Sequence, residues 1–295
     1  MTGRDGTMRR IGRDRAHRHE WTSQLKETSE KTQRGIQSVE VAGRILEALA
    51  RRREPVALSE LAGAAGLSTA QAHTYLVSLT KLGLVKRDAL TGYYEPGPLS
   101  LRLGMMGVEQ QPAYRIAAPY ATQLAERIGF SVALCVSGPQ GPTIVRYERG
   151  GSPLHVNLHV GTVMSLRTTA TGRVFSAFLD AAELAATMER QGLTPPHVGV
   201  DESPFGGYEP EQWQAQLDDT RRRGIARNVD MPSPGISAMS VPVLDADRRL
   251  LLALTVIGPS GTMDVGWNGA IARELRELAQ RIAQALPDRS LTHAS

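Results

Sequence analysis

Thr69, Gln71, His73, Thr74 and Ser78 share one face of a helical stretch, opposite Ala72, Leu76 and Leu79. A glutamine amide on such a face can pair with adenine through both its oxygen and its nitrogen. A threonine there can meet a phosphate or a thymine methyl. Ser68, just ahead of them, is a residue type that caps a helix start. Lys86 and Arg87 follow shortly after, and cations so placed grip phosphates without reading sequence. The competing reading is a solvated polar face. Arg51, Arg52 and Arg53 are equally well read as phosphate contacts or as a solvated helix end beside Pro55.

The elements that must position these residues lie within 36–96. Helix-turn-helix packing needs a small residue where two helices cross and a positive-φ residue four positions on. Ala62 and Gly66 supply them. Ala72, Tyr75, Leu76 and Leu79 recur at helical spacing, and Gly83 terminates, so the second helix runs about Thr69–Leu82. Val39, Ala42, Leu46 and Leu49 set a first helix over about Gln37–Arg53. Val85-Lys86-Arg87 and Tyr93-Tyr94-Glu95 flank Asp88-Ala89-Leu90-Thr91-Gly92 as a hairpin wing. A winged helix-turn-helix implies double-stranded DNA as partner, although such modules also serve as protein contacts. Residues 35–98 hold seven Lys/Arg against six Asp/Glu, so phosphate affinity per protomer is modest and dimerisation makes up the difference.

A second constellation is Leu166–Arg173. Thr171 is placed to cap a helix opening at Gly172, whose backbone N–H groups would favour an anion or carbonyl, with Arg167 and Arg173 adding charge. An ordinary capped helix start is the plain alternative. His155 and His159 tempt a metal reading, but Leu154–Val160 alternates as a strand. Positions i and i+4 of a strand lie about 13 Å apart, too far to share a zinc at bonds of about 2 Å. No metal and no cofactor are expected. Cys135 sits between Leu134 and Val136 in mid-strand, an inert core thiol. Nucleophile-elbow, phosphate-loop and dinucleotide glycine motifs are absent, so no catalytic residue is nominated.

At 295 residues, 41% hydrophobic and 22% charged, the chain is globular and long enough for two domains. No apolar run approaches the ~20 residues of a membrane span. The lone cysteine and the lack of a secretory signal agree with the cytoplasm. Residues 1–34 carry nine Lys/Arg and five Asp/Glu, while the remainder carries 25 of each. That basic tail is expected to be disordered, either skimming phosphates or idle, with Met8 as a second start. A connector helix over Leu99–Gln111 is closed by Pro112. The distal domain, residues 113–287, reads as helix Tyr114–Gly129; strands Ser131–Ser137, Thr143–Glu148 and Leu154–Val160; helices Gly172–Leu179, Ala181–Gln191 and Pro210–Gly224; strands Ile225–Asp230, Ile236–Leu244 and Arg249–Ile257; and a last helix over about Asn268–Leu286, before a polar tail at 288–295. Antiparallel strands with helices on one side make this domain α+β.

The order of these features resembles the IclR family of bacterial transcriptional regulators over about Gly35–Leu286. The resemblance rests on Gln37-Ser38-Val39-Glu40, the helix-turn-helix, Gly92-Tyr93-Tyr94, Gly97-Pro98, Ala118-Pro119, Thr169-Ala170-Thr171-Gly172-Arg173, Arg223-Gly224-Ile225-Ala226, Gly235-Ile236-Ser237-Ala238 and Ile257-Gly258-Pro259. It implies a winged-helix domain (35–98) joined by the connector to a GAF/profilin-like effector domain, assembled as homodimers or dimers of dimers. The DNA-contacting set, read from the helix face and the wing, is Ser68, Thr69, Gln71, His73, Thr74, Lys86 and Arg87. The effector set is Leu166, Arg167, Thr168, Thr169, Ala170, Thr171 and Gly172 with Asn228, Asp230, Ala238, Thr255 and Ile257. Two departures stand out. Thr69, Ala70, Gln71 and Thr74 replace cationic phosphate clamps on the recognition helix. Asn228, Ala238, Thr255 and Ile257 make the effector pocket less polar than in members that hold a small carboxylate. The expected effector is an aromatic or medium-sized organic acid or lactone. A catalytic C-terminal domain and a ligand-independent architectural DNA binder are the rival classes.

Overall fold

The computed structural model describes residues 35–52, 54–152, 154–193 and 210–287. The two expected tails and Arg53 lie outside them. Two units divide between Leu101 and Arg102.

In the first unit α1 (Gln37–Ala50), α2 (Leu58–Ala64) and α3 (Thr69–Lys81) precede β1 (Val85–Arg87) and β2 (Tyr94–Pro96). Helix α1 stops three residues short of the expected Arg53. Pro55 disfavours helical backbone at the residue before it, and the chain unwinds ahead of that point. Ile45, Leu61, Ala72, Leu76 and Tyr94 close one core. Gly66 has φ 67° and makes the turn between α2 and α3. A β-carbon would strain that backbone. The wing strands pair antiparallel, Val85 opposite Pro96, and Val56 adds a bridge to Tyr94. Helix α4 (Pro98–Glu109) buries none of its residues, and its Leu101, Leu103, Met105 and Met106 are exposed.

The boundary falls within α4, and the first helix wholly inside the second unit is α5 (Pro112–Ile128). Pro112 stands at the first turn, where its missing N–H costs nothing, so it opens this helix besides closing α4. Then come β3 (Ser131–Gly138), β4 (Gly141–Glu148), α6 (Ala170–Phe178), α7 (Ala181–Arg190), α8 (Pro210–Arg223), β5 (Ala226–Val229), β6 (Ile236–Leu244), β7 (Leu250–Pro259) and α9 (Ala270–Gln284). The five strands form one sheet in the order β4-β3-β7-β6-β5, every neighbouring pair antiparallel.

Two expectations are corrected here. Helices cover both faces of the sheet. Helices α5 and α9 pack with Leu134, Met239, Val241, Leu254 and Val256, while α6 packs with Ala133, Cys135, Ala253 and Ile257. The alternation along the strands is therefore large against small rather than apolar against polar. The small face leaves room above the sheet. Second, Leu154–Val160 is not a strand. Its backbone has no ladder partner, and only at Thr143 and Val163 does a single bridge form beside β4. The strand-spacing argument about His155 and His159 falls with it. The His159 ring lies instead 2.9 Å from Thr162 Oγ1. Among the described residues no three His, Cys, Asp or Glu gather as a metal site, and no helix is long and apolar enough to cross a membrane.

Candidate functional site

Helix α3 presents Thr69, Gln71, His73, Thr74 and Ser78 to solvent as its periodicity demands, with Val77 beside them. Ser68 and Gln71 form a full capping box. The Gln71 N–H donates to Ser68 Oγ at 3.3 Å. In return Gln71 Oε1 accepts from the Ser68 N–H at 3.1 Å and from its hydroxyl at 3.0 Å. The amide oxygen needed for a two-point adenine pair is thus engaged within the helix start. The hydroxyls of Thr74 and Ser78 donate back to the carbonyls of Ala70 and Thr74, at 3.2 and 3.4 Å. Such back-bonding turns the polar face less polar than its sequence.

In the wing, Lys86 pairs with Glu95 at 3.0 Å while both stay solvated. Such an ion pair is worth about 0–1 kcal/mol and is readily exchanged for a phosphate. Arg87 Nε donates to Gly92 O at 2.9 Å, and its guanidinium lies 5.7 Å from the centre of the Tyr94 ring. Asp88 ties the wing tip, accepting from the N–H groups of Leu90 and Thr91 and from the Thr91 hydroxyl. These bonds, those from Thr91 foremost, hold its carboxyl below the usual range.

In the second unit a cavity of about 230 Å³ opens over the small face of the sheet. Asn228, Ala238 and Ile257, cross-strand neighbours in one row, floor it together with Thr255 of the next row, which pairs with Ser240 and Ala133. The start of α6 forms one wall. Its cap is Thr169, not Thr171: Thr169 Oγ1 accepts from the Gly172 N–H at 2.9 Å and donates to Ser165 O at 2.8 Å. Thr171 turns inward to Thr255 Oγ1 at 2.8 Å, and Thr255 donates on to Ser240 Oγ at 2.8 Å. Burial pushes the neighbouring Cys135 thiol up to about 12, which fits an inert core group.

Of the expected effector residues, Thr168, Thr169, Ala170, Thr171, Asn228, Ala238, Thr255 and Ile257 line the cavity. Leu166, Arg167, Gly172, Asp230 and Arg173 do not. Leu166 is wholly buried in the core. A β-carbon on Gly172 would overlap the Ser165 carbonyl, so this glycine serves close packing. Asp230 accepts from the Gly235 N–H at 2.9 Å. Arg173, 8% exposed, bonds Gln216 Oε1 at 3.0 Å and the Arg227 carbonyl, facing a separate cleft beside Trp267. The N–H groups of Thr168 and Gly172, expected to meet a ligand, already serve Ser165 and Thr169.

Sequence reasoning missed the remaining walls, Val156, Leu158 and Thr162–Ser165 on one side and Met231–Ser233 with Ile236 on the other. The only signal was the alternation of Val156 and Leu158, which mimics a strand. No ionisable side chain is among the described residues lining this space. A helix start favours an anion by about 0.3–1 kcal/mol, little beside the several kcal/mol that burying an unpaired carboxylate costs.

A winged helix-turn-helix joined to a separate α+β unit with its own cavity is the build of a transcriptional regulator with an effector-binding unit. Residues 106–284 match the model of the bacterial transcriptional regulator IclR C-terminal domain, and residues 38–89 that of the IclR helix-turn-helix domain. The chain belongs to the IclR family of bacterial transcriptional regulators. It is 32% identical over 245 residues to the glycerol operon regulatory protein of Streptomyces coelicolor, covering 83% of this chain and 89% of that one. The fold is shared with an IclR transcriptional regulator from Alicyclobacillus acidocaldarius, at 22% identity and TM-score 0.68, over 85% of this chain and 99% of the other. It is shared too with an IclR homologue from Microbacterium hydrocarbonoxydans complexed with 4-hydroxybenzoate, at 18% identity and TM-score 0.67, over 84% and 98%.

Proposed function

We propose that this regulator binds its operator through α3 and the wing of paired protomers, and that a small molecule in the cavity of the second unit changes operator affinity. The observation that carries the reading is the cavity over the small-residue face of the sheet, in a unit distinct from the DNA-binding one. Such a site holds a ligand by apolar contact, at about 25 cal/mol per Å² removed from water. The 4-hydroxybenzoate of the Microbacterium protein sets a scale for its occupant, within the wider class of aromatic or medium-sized acids and lactones. DNA-contacting roles go to Thr69, His73, Thr74, Lys86 and Arg87, with Ser68 and Gln71 shaping the helix start. The exposed apolar side chains of α4 are read as covered by a second copy, giving a homodimer or a dimer of dimers. The relatives named above are regulators, and the second unit is read as a sensor rather than a catalyst.

Ala238→Phe tests this. Filling the cavity should abolish the ligand response and leave operator affinity unchanged, measured on operator DNA with and without a metabolite panel. A variant that still responds normally would move the effector site elsewhere.

A further inference from the structure

Asn228 is only 6% exposed and lines the cavity. Its Nδ2 donates to the carbonyl of Thr168 and, at 3.3 Å, to that of Met231. Carbonyls accept and never donate, so the amide cannot be turned end for end without setting oxygen against oxygen. The orientation is therefore fixed by its partners. Oδ1 is left buried, and no described residue bonds it. A buried acceptor without a donor destabilises the protein until something supplies one. Three of the neighbouring hydroxyls are already matched: Thr171 with Thr255, Thr255 with Ser240, Thr169 with Ser165 and Gly172. Among the described residues no cation stands in the wall to receive a carboxylate, and Arg173 faces the other cleft.

We propose that the effector is an uncharged molecule that donates a hydrogen bond, from a hydroxyl or an N–H, to Asn228 Oδ1. Its apolar body lies against Val156, Leu158, Met164, Ile236 and Ile257. This narrows the expected class, keeping neutral hydroxylated or amide-bearing compounds, hydroxylated lactones among them, and discarding the free acids and the lactones that carry no donor. It rests on the reading of the cavity as the effector site.

Three molecules of one frame test it: 4-isopropylbenzyl alcohol, its methyl ether, and 4-isopropylbenzoate. They share shape, but only the alcohol is both neutral and a donor. Titrated into the full-length protein at pH 7.5 by calorimetry, the alcohol should bind at least tenfold more tightly than the ether or the acid. In Asn228→Leu its advantage over the ether should fall below threefold, while Ala238→Phe should lose all three. The acid or the ether binding as tightly as the alcohol, or the alcohol not binding, overturns the proposal. The wild-type comparison decides even if Asn228→Leu fails to fold. Operator binding in the same samples separates this claim from the one beneath it. Discrimination without any change at the operator upholds the recognition by Asn228 and removes the effector role. A response to the acid alone keeps the effector role and removes the neutral class.

Discussion

Gln71 Oε1 accepts two hydrogen bonds from Ser68, one from its N–H and one from its hydroxyl, so two residues expected to touch DNA are engaged with each other. The start of the recognition helix is held rigid at the expense of a free amide oxygen. Only Nε2 of Gln71 remains to point outward, a donor without the matching acceptor that adenine requires.

Ser68→Ala should therefore destabilise the first unit by about 1 kcal/mol, the usual cost of losing such a cap. It should weaken binding to all DNA sequences alike. Gln71→Ala should cost less discrimination at its base position than the roughly 1–3 kcal/mol of a two-point pair. Thermal melts and a binding-site selection on both variants check this. A loss of preference confined to adenine at one position and near the top of that range would show that the capping box opens on DNA.

The two wing cations should separate by stability. Lys86→Ala should lower affinity for every sequence and reduce the salt slope by about 1. Its melting temperature should change little, because the pair with Glu95 is solvated. Arg87→Ala should in addition loosen the wing, since that side chain bonds Gly92 and lies near the Tyr94 ring. Salt-dependent binding isotherms beside melts distinguish them.

Acid should weaken the start of α9. Asp264 accepts from the N–H groups of Gly266 and Ala270, at 2.9 and 3.0 Å, and these bonds hold its carboxyl below the ordinary value of 3.8. A carboxyl lowered on folding stabilises the fold above its unfolded value, and that contribution is lost as pH falls through the folded one. Asp264→Asn should melt below wild type at pH 7, and the gap should close as pH drops beneath 3.8. A gap that stays constant with pH would assign the loss to something other than charge.

The apolar row on α4 predicts assembly. With Leu101, Leu103, Met105 and Met106 exposed, the chain should sediment as a dimer or larger at micromolar concentration, and Leu103→Glu with Met106→Glu should drive it towards monomer. A wild-type monomer under those conditions would sink the reading.

Local signals were legible in the sequence. Ala62, Gly66 and the spacing of Ala72, Leu76 and Leu79 placed the helix-turn-helix, because that motif is decided by contacts between near neighbours in sequence. The rows of Asn228, Ala238 and Ile257 were reached through the family pattern. What failed were features set by distant parts of the chain. Val156 and Leu158 alternate because they face a cavity, and a strand with one buried face carries the same signature. Helices on both faces bury β3 almost throughout, so Ala133 and Cys135 gave no hint of a second layer. Thr169 and Thr171 are equally good caps by type, and only the place of Thr255 across the sheet decides between them.

The large-against-small alternation of the sheet gives its two faces unequal freedom to change. On the side of Leu134, Met239 and Leu254, close packing against α5 and α9 punishes any change of volume. On the side of Ala238 and Thr255, added volume enters empty space before it strains a neighbour. On the proposed reading of the cavity, a lineage can thus exchange one chemical signal for another by substitutions on a single face, while the opposite face keeps the domain folded throughout the transition.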